Sequence, residues 1–113
     1  MKAPGPPLRL TADYRQLQRQ LSRIGYLSQG SVIERPPTQQ GSRYIWTRKV
    51  QAKTVTVALS KPQYHWLRRA VTNQREMQRI IGQMHRLSHQ ILFQTLPGPT
   101  RRKSLSKRVL GLI

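Results

Sequence analysis

The 113-residue chain has no cysteine and only three acidic residues, which are Asp13, Glu34 and Glu76. The absence of cysteine excludes disulfides, thiolate metal sites and cysteine nucleophiles. Catalytic magnesium ions in phosphodiester chemistry are held by paired carboxylates, and three widely spaced acids do not predict such a pair. His85 and His89 have the i, i+4 spacing of a metal-binding face, but no cysteine or acid lies nearby to complete the shell. We therefore expect a protein that is not an enzyme and that holds no cofactor or metal.

Long apolar runs are also missing. No segment approaches the roughly 18 consecutive apolar residues of a membrane span. The first ten residues, which include three prolines, lack the apolar stretch of a secretory signal. These observations predict no membrane partner and a cytoplasmic location.

Positive charge is abundant, because 21 Lys and Arg residues give a formal net charge of +18 and an isoelectric point near 12.0. A small domain with this charge repels itself, so a polyanionic partner is the natural explanation. Fifteen of the 21 are arginine, whose planar guanidinium group binds phosphates through two parallel hydrogen bonds and stacks on bases. The composition therefore predicts a nucleic-acid-binding protein.

Composition divides the chain into an extended leader (residues 1–9), a single α+β nucleic-acid-binding domain (10–96) and a basic, disordered tail (97–113). In the domain, Thr11 is suited to cap a first helix and Gly25 to end it. Apolar residues recur at spacings of three and four, as on one helical face: Tyr14, Leu17, Leu21 and Ile24. Arginines on another face have no acid four residues away, which favours phosphate contacts over simple solvation: Arg15, Arg19 and Arg23.

The middle of the chain has the alternating pattern of β-strands. Residues 31–34 fit a short strand, and residues 43–50 and 54–59 fit a β-hairpin. Gln51-Ala52-Lys53 is expected to reverse the chain in a loop of three or four residues. A two-stranded ribbon is marginal alone, so the first strand is expected to make it a three-stranded sheet.

Basic and aromatic residues interleave on this hairpin, and two interpretations follow. Tyr44 and Trp46 either stack unpaired bases or belong to the core, facing the helix that contains Trp66. The core interpretation is favoured for Trp46, and it leaves the opposite face, with Arg43, Thr47 and Lys49, free for nucleic acid. The hairpin residues expected to contact nucleic acid are Arg43, Arg48, Lys49 and Lys53.

Ser60 is suited to cap a long second helix from Lys61 to about Leu96, in which Gly82 could mark a kink. Four arginines fall on one side of this helix: Arg68, Arg75, Arg79 and Arg86. Further cations in the tail are expected to add non-specific affinity: Arg101, Arg102, Lys103, Lys107 and Arg108. The fold class is α+β, with an N-terminal helix, a small antiparallel sheet of two or three strands, a long C-terminal helix and basic disordered tails.

Residues 10–95 resemble a family of short basic bacterial proteins of unknown function. The resemblance rests on SVIER at residues 31–35, GSRYIWTRKVQAKTVT at residues 41–56 and LSKPQ at residues 59–63, followed by the arginine-rich helix. Members are often encoded near transposases, which implies a role in a mobile element and a place near the bacterial nucleoid. The chain departs from the family where typical members read Gly-Pro-Tyr-Tyr-Tyr. It also lacks the cysteines that many members have in the loop at residues 36–40, so no metal role carries over.

The strand pair followed by a helix is also similar in architecture to the arm-site DNA-binding domain of phage-type integrases. We expect a non-catalytic accessory protein that binds DNA within a mobile-element nucleoprotein or ribonucleoprotein complex, beside a larger protein. Two alternatives stay open. The chain could pack RNA as a structural subunit of a ribonucleoprotein, as ribosomal proteins do. It could also be a coiled-coil module that clamps a nucleic-acid enzyme through Leu67, Ile81 and Met84.

Overall fold

The computed structural model describes residues 7–100 and 103–113. Its elements, in chain order, are α1 (Leu8–Ser22), β1 (Ser31–Glu34), β2 (Tyr44–Val50), β3 (Lys53–Leu59) and α2 (Lys61–Thr95). This arrangement confirms the α+β class with a three-stranded sheet.

The chain divides into two compact units. The sheet unit is Ile24–Met77, and the helical unit comprises the described residues up to Arg23 together with Gln78–Ile113. Helix α2 contributes its first part to the sheet unit and its last part to the helical unit. The single domain expected over residues 10–96 is therefore built as two units.

Helix α1 begins earlier than the sequence predicts. Pro7 is its N-cap with φ −57°, and the Thr11 N–H donates to the Pro7 carbonyl at 3.1 Å. Thr11 is therefore inside the helix, and Leu8 and Arg9 are helical instead of belonging to an extended leader, whose first six residues lie outside the described part. Pro7 has an extended ψ of 133° and a side chain that accepts no hydrogen bond, so α1 begins without a side-chain cap. The helix ends at Ser22, before Gly25.

The sheet has the order β1-β2-β3 with both pairs antiparallel. The last pair of the hairpin is Val50 with Lys53, so the connection has two residues, Gln51 and Ala52. The prediction of a loop of three or four residues is therefore wrong. Both residues have positive φ, 49° and 65°, which is the geometry of a type I′ turn. Type I′ turns usually have the sequence Asn-Gly. Gln51-Ala52 stands in its place here, so the sequence does not indicate the turn type.

A reciprocal cap opens α2, as predicted for Ser60. The Gln63 N–H donates to Ser60 Oγ at 3.3 Å, and the Ser60 N–H donates to Gln63 Oε1 at 2.9 Å. The helix continues through Gly82 without interruption. The buried side chains are few: Ile45, Tyr64, Ala70 and Val71 in the sheet unit, and Ile80 in the helical unit.

The end of the chain has more defined structure than its composition predicts. The Leu112 N–H donates to the Lys107 carbonyl at 2.9 Å, and the Gly111 N–H donates to the Arg108 carbonyl at 3.2 Å. This pair of bonds, with Gly111 at φ 73°, is a Schellman motif. His89 Nδ1 lies 2.6 Å from the Gly111 carbonyl oxygen, and because that oxygen only accepts, Nδ1 must carry the proton.

Replacing Ala52 with Gly should raise the free energy of unfolding by about 1 kcal/mol, because glycine adopts the left-handed conformation without a Cβ clash. Urea unfolding followed by circular dichroism measures the change. Ala58→Gly, within β3, is the matched control and should lower the same free energy by roughly 0.5–1 kcal/mol. A loss of stability in Ala52→Gly would contradict the type I′ turn.

Replacing Gly111 with Ala should open the C-terminal turn, because a Cβ there collides with the His89 imidazole and strains the backbone. Hydrogen exchange at the Gly111 and Leu112 amides should become faster, whereas exchange in the sheet should not change. Gly98→Ala is the control, because Gly98 has no positive φ. Unchanged protection in Gly111→Ala would show that the turn does not depend on this contact.

Candidate nucleic-acid interface

The basic side chains lie almost entirely on the surface. Across residues 7–100 and 103–113, every Lys and Arg side chain is exposed except that of Arg35, which is half-buried. The acids cannot neutralise this surface, because the whole chain has only three. The electrostatic field is therefore positive around both units, as binding to a polyanion requires.

The helical arginines are placed as the sequence predicts, except that Arg23 lies just beyond the end of α1. Arg15 and Arg19 are exposed on α1, and Arg23 follows its last residue. Two further pairs are exposed on α2 and are each seven residues apart, which puts both members on one side of the helix. These pairs are Arg68 with Arg75 in the sheet unit and Arg79 with Arg86 in the helical unit.

Arg86 has an acid in its surroundings. It borders a hollow of about 420 Å³ that is lined by Asp13, Leu87 and several glutamines. A phosphate placed there would face a carboxylate as well as a guanidinium group. This part of the helical unit is therefore a weaker candidate for phosphate than a surface without acids.

The sequence suggested that Arg43 is free to contact nucleic acid, but the structure pairs it with Glu34. Its Nη2 donates to Glu34 Oε1 at 3.1 Å, and its guanidinium carbon lies 5.8 Å from the centre of the Tyr44 ring. The hydrogen bond to Glu34 raises the pKa of Arg43 above its usual value, with a smaller contribution from Tyr44. Arg43 therefore neutralises Glu34 across the β1–β2 pair, which makes it a poorer phosphate ligand than the unpaired cations of the hairpin.

The Arg48 guanidinium group lies over the ring of Trp46. Its guanidinium carbon lies 4.6 Å from the centre of the Trp46 ring, a cation–π distance. The Trp46 indole N–H donates to the Gln29 carbonyl at 2.9 Å. Trp46 also lines a hollow with Trp66 on α2, and the Tyr44 ring lies 4.7 Å from that of Tyr64. Tyr44 and Trp46 are half-buried and lie on the helix-facing side of the sheet, which is the placement that the core interpretation gives them.

The other side of the sheet carries Ile45, which is buried, and, towards the hairpin turn, Ser31, Thr47, Lys49 and Thr54. We call this second part the open face. Ser31 pairs with Thr47 and Lys49 pairs with Thr54, so their side chains project from one face. Together with Gln29, Gly30 and Arg48 they line a depression of about 430 Å³, which we call the hydroxyl hollow. Its lining includes three hydroxyl-bearing residues and two cationic ones, Arg48 and Lys49, and no acid. Hydroxyl and ammonium donors without a competing carboxylate form a surface suited to a phosphate group.

Backbone geometry at Gly30 shapes this hollow. Gly30 has φ 101°, and a Cβ at this position would collide with the Thr47 carbonyl oxygen and lie 2.6 Å from Trp46 Nε1. Only glycine therefore allows β1 to start so close to β2. Ser31 and Thr54 were not among the residues that the sequence predicted for the site. The alternation of Thr54 and Thr56 along β3 was the sequence feature that could have indicated a hydroxyl-bearing strand face.

The remaining predicted cations have different positions. Lys53 is exposed at the first residue of β3. Lys103, Lys107 and Arg108 are exposed in the C-terminal segment. Arg101 and Arg102 lie outside the described residues.

Comparison of this chain with protein-family profiles, with curated proteins and with solved structures gives no match. Within the described residues, no three His, Cys, Asp or Glu side chains come together in a way that could hold a metal ion. None of the helices in the same part of the chain combines the length and apolar character needed to cross a membrane.

Replacing Gly30 with Ala should lower the free energy of unfolding by roughly 2 kcal/mol or more, because left-handed strain adds to a clash with strand backbone. Thermal unfolding followed by tryptophan fluorescence measures the change. Gly82→Ala is the matched control, because Gly82 is inside α2 with only the end of the flexible Arg86 side chain, at 3.7 Å, near an added methyl. That variant should gain up to about 1 kcal/mol. Equal stability of the Gly30 variant and the native chain would contradict this geometry.

Proposed function

We propose that this protein binds nucleic acid through its phosphates and acts as an accessory or architectural subunit of a nucleoprotein complex, with no chemistry of its own. The observation that carries the proposal is the hydroxyl hollow, which Lys49 and three hydroxyl-bearing residues line without an acid. A phosphate diester offers the oxygen acceptors and the negative charge that this set of donors lacks. The exposed arginines elsewhere on the surface extend the contact along a charged polymer.

DNA is the partner that we favour. The hairpin and helix of this chain resemble short bacterial proteins often encoded near transposases, which supports a DNA complex of a mobile element in the bacterial cytoplasm. RNA presents the same phosphates, so an RNA-packing subunit is the alternative that an experiment must separate.

A coiled-coil clamp is less favoured by the packing of α2. The residues expected to form its seam are Leu67, Ile81 and Met84, and all three are already half-buried within this chain. Their apolar surface is therefore only partly available to a second helix.

Treating the complex isolated from cells at low salt with DNase or RNase tests the nature of the partner. We expect the chain to co-purify with nucleic acid that DNase releases and RNase does not. Release by RNase alone would assign the protein to a ribonucleoprotein. A complex that contains protein and no nucleic acid would contradict the proposal.

Substitution of Lys49 by Gln tests the hydroxyl hollow. Loss of one phosphate contact should weaken duplex binding about fivefold to tenfold for every sequence and lower the salt slope by about one. Fluorescence anisotropy with a labelled duplex measures both quantities. Lys61→Gln removes the same charge from the exposed first residue of α2 and should change affinity by less than about twofold. Equal losses in the two variants would mean that net charge, and not the hollow, sets the affinity.

A further inference from the structure

Two large aromatic side chains of the sheet unit meet on its surface. Tyr26 is 74% exposed and Trp66 is 55% exposed, and their ring centres are 5.2 Å apart with the planes tilted by 36°. Trp66 lies beside the hairpin, where it lines a hollow with Trp46. More than half of the Trp66 side chain is nevertheless exposed to solvent. Aromatic surface exposed as a contiguous pair is the kind of feature that marks a binding site.

Tertiary hydrogen bonds attach the backbone around Tyr26 to α2. Asn73 Nδ2 donates to the Tyr26 carbonyl at 3.0 Å, and the Ser28 N–H donates to the Ala70 carbonyl at 3.2 Å. Both partners are on α2, and Ala70 is only 1% exposed. The backbone that carries Tyr26 is therefore attached to the helix that carries Trp66. This attachment fixes the backbone beneath the Tyr26 ring, which lowers part of the entropy cost of binding.

A hollow of about 270 Å³ adjoins the two rings, and it is lined by Gly25, Tyr26, Trp66, Arg69, Ala70 and Asn73. This volume is just below the range of about 300–1,000 Å³ for drug-sized ligands, which suits a single flat ring system. Arg69 is the one charged residue of the lining, and its side chain is exposed. The hollow thus combines aromatic faces with a cation and contains no acid.

We propose that Tyr26 and Trp66, with Arg69 beside them, form a stacking platform for an unpaired base of single-stranded nucleic acid. The inference rests on the proposed function and adds the form of the ligand. A duplex keeps its bases stacked inside, so only an unpaired base offers its flat face to the two rings. Arg69 is placed to contact the adjoining phosphate, and the net charge of +18 favours a nucleic acid over a basic or neutral peptide.

The test compares a 12-nucleotide oligo-dT with an abasic strand of the same length, which has the same phosphates and no bases. The full-length protein should bind oligo-dT more tightly than the abasic strand. Trp66→Ala and Tyr26→Ala should each weaken oligo-dT binding about 5- to 150-fold, the range that corresponds to stacking of one base. Their affinities for the abasic strand and for duplex DNA should not change.

Two further variants keep the test independent of folding. Trp66→Phe retains an aromatic face and should retain affinity for oligo-dT, while the fluorescence quenching that oligo-dT causes should disappear with the indole. Arg69→Gln should weaken binding of oligo-dT and of the abasic strand by the same factor. Thermal unfolding of each variant verifies the fold. Trp66 is 55% exposed and also lines the hollow beside Trp46, so Trp66→Ala should lower the unfolding midpoint, and binding is compared at a temperature at which every variant is folded.

The outcomes separate this inference from the proposed function. Equal affinity of the native chain for oligo-dT and the abasic strand, with duplex binding intact, would overturn the platform and leave nucleic-acid binding standing. The same equality, together with loss of a protein from the native complex of Trp66→Ala, would assign the pair to a protein contact. Binding of neither strand nor duplex would overturn both proposals.

Discussion

Repulsion among like charges is the constraint on which this structure depends. Twenty-one cations and three acids cannot form a neutral surface, so the described cations point outward and the core is left to a few apolar side chains. Ion pairing contributes little compensation, and Glu34 is already used by Arg43. A polymer of phosphates would relieve this repulsion, because each bound phosphate removes one uncompensated charge and releases a counterion.

One short segment links the two candidate sites of the sheet unit. Residues 25–31 carry Tyr26 of the stacking platform and Ser31 of the hydroxyl hollow. Contacts fix this segment along its length, from the Asn73 bond at Tyr26 to the close approach of Gly30 to β2. The Trp46 indole holds the Gln29 carbonyl between them. A strand bound at both sites would therefore contact base and backbone through a segment anchored to both the sheet and α2.

Local signals predicted the elements well and the side-chain partnerships poorly. Residue types and alternation indicated the hairpin, a third strand was expected at residues 31–34, and Ser60 indicated the start of α2. The two-residue turn was missed because Gln51 and Ala52 are atypical of left-handed backbone. The Tyr26 platform was missed because a hydrogen bond from a residue 47 positions further along the chain holds it, and no local pattern records such a bond. The Arg43–Glu34 pair likewise depends on strand pairing.

Salt dependence tests the central claim most directly, which is that a phosphate polymer neutralises this surface. The measurement is the dissociation constant for a duplex DNA at a series of salt concentrations between 50 and 200 mM. If the surface neutralises about six to ten phosphates, affinity should fall by about 10³- to 10⁵-fold over this range, linearly in the logarithm of the salt concentration. An affinity that does not respond to salt would contradict the account.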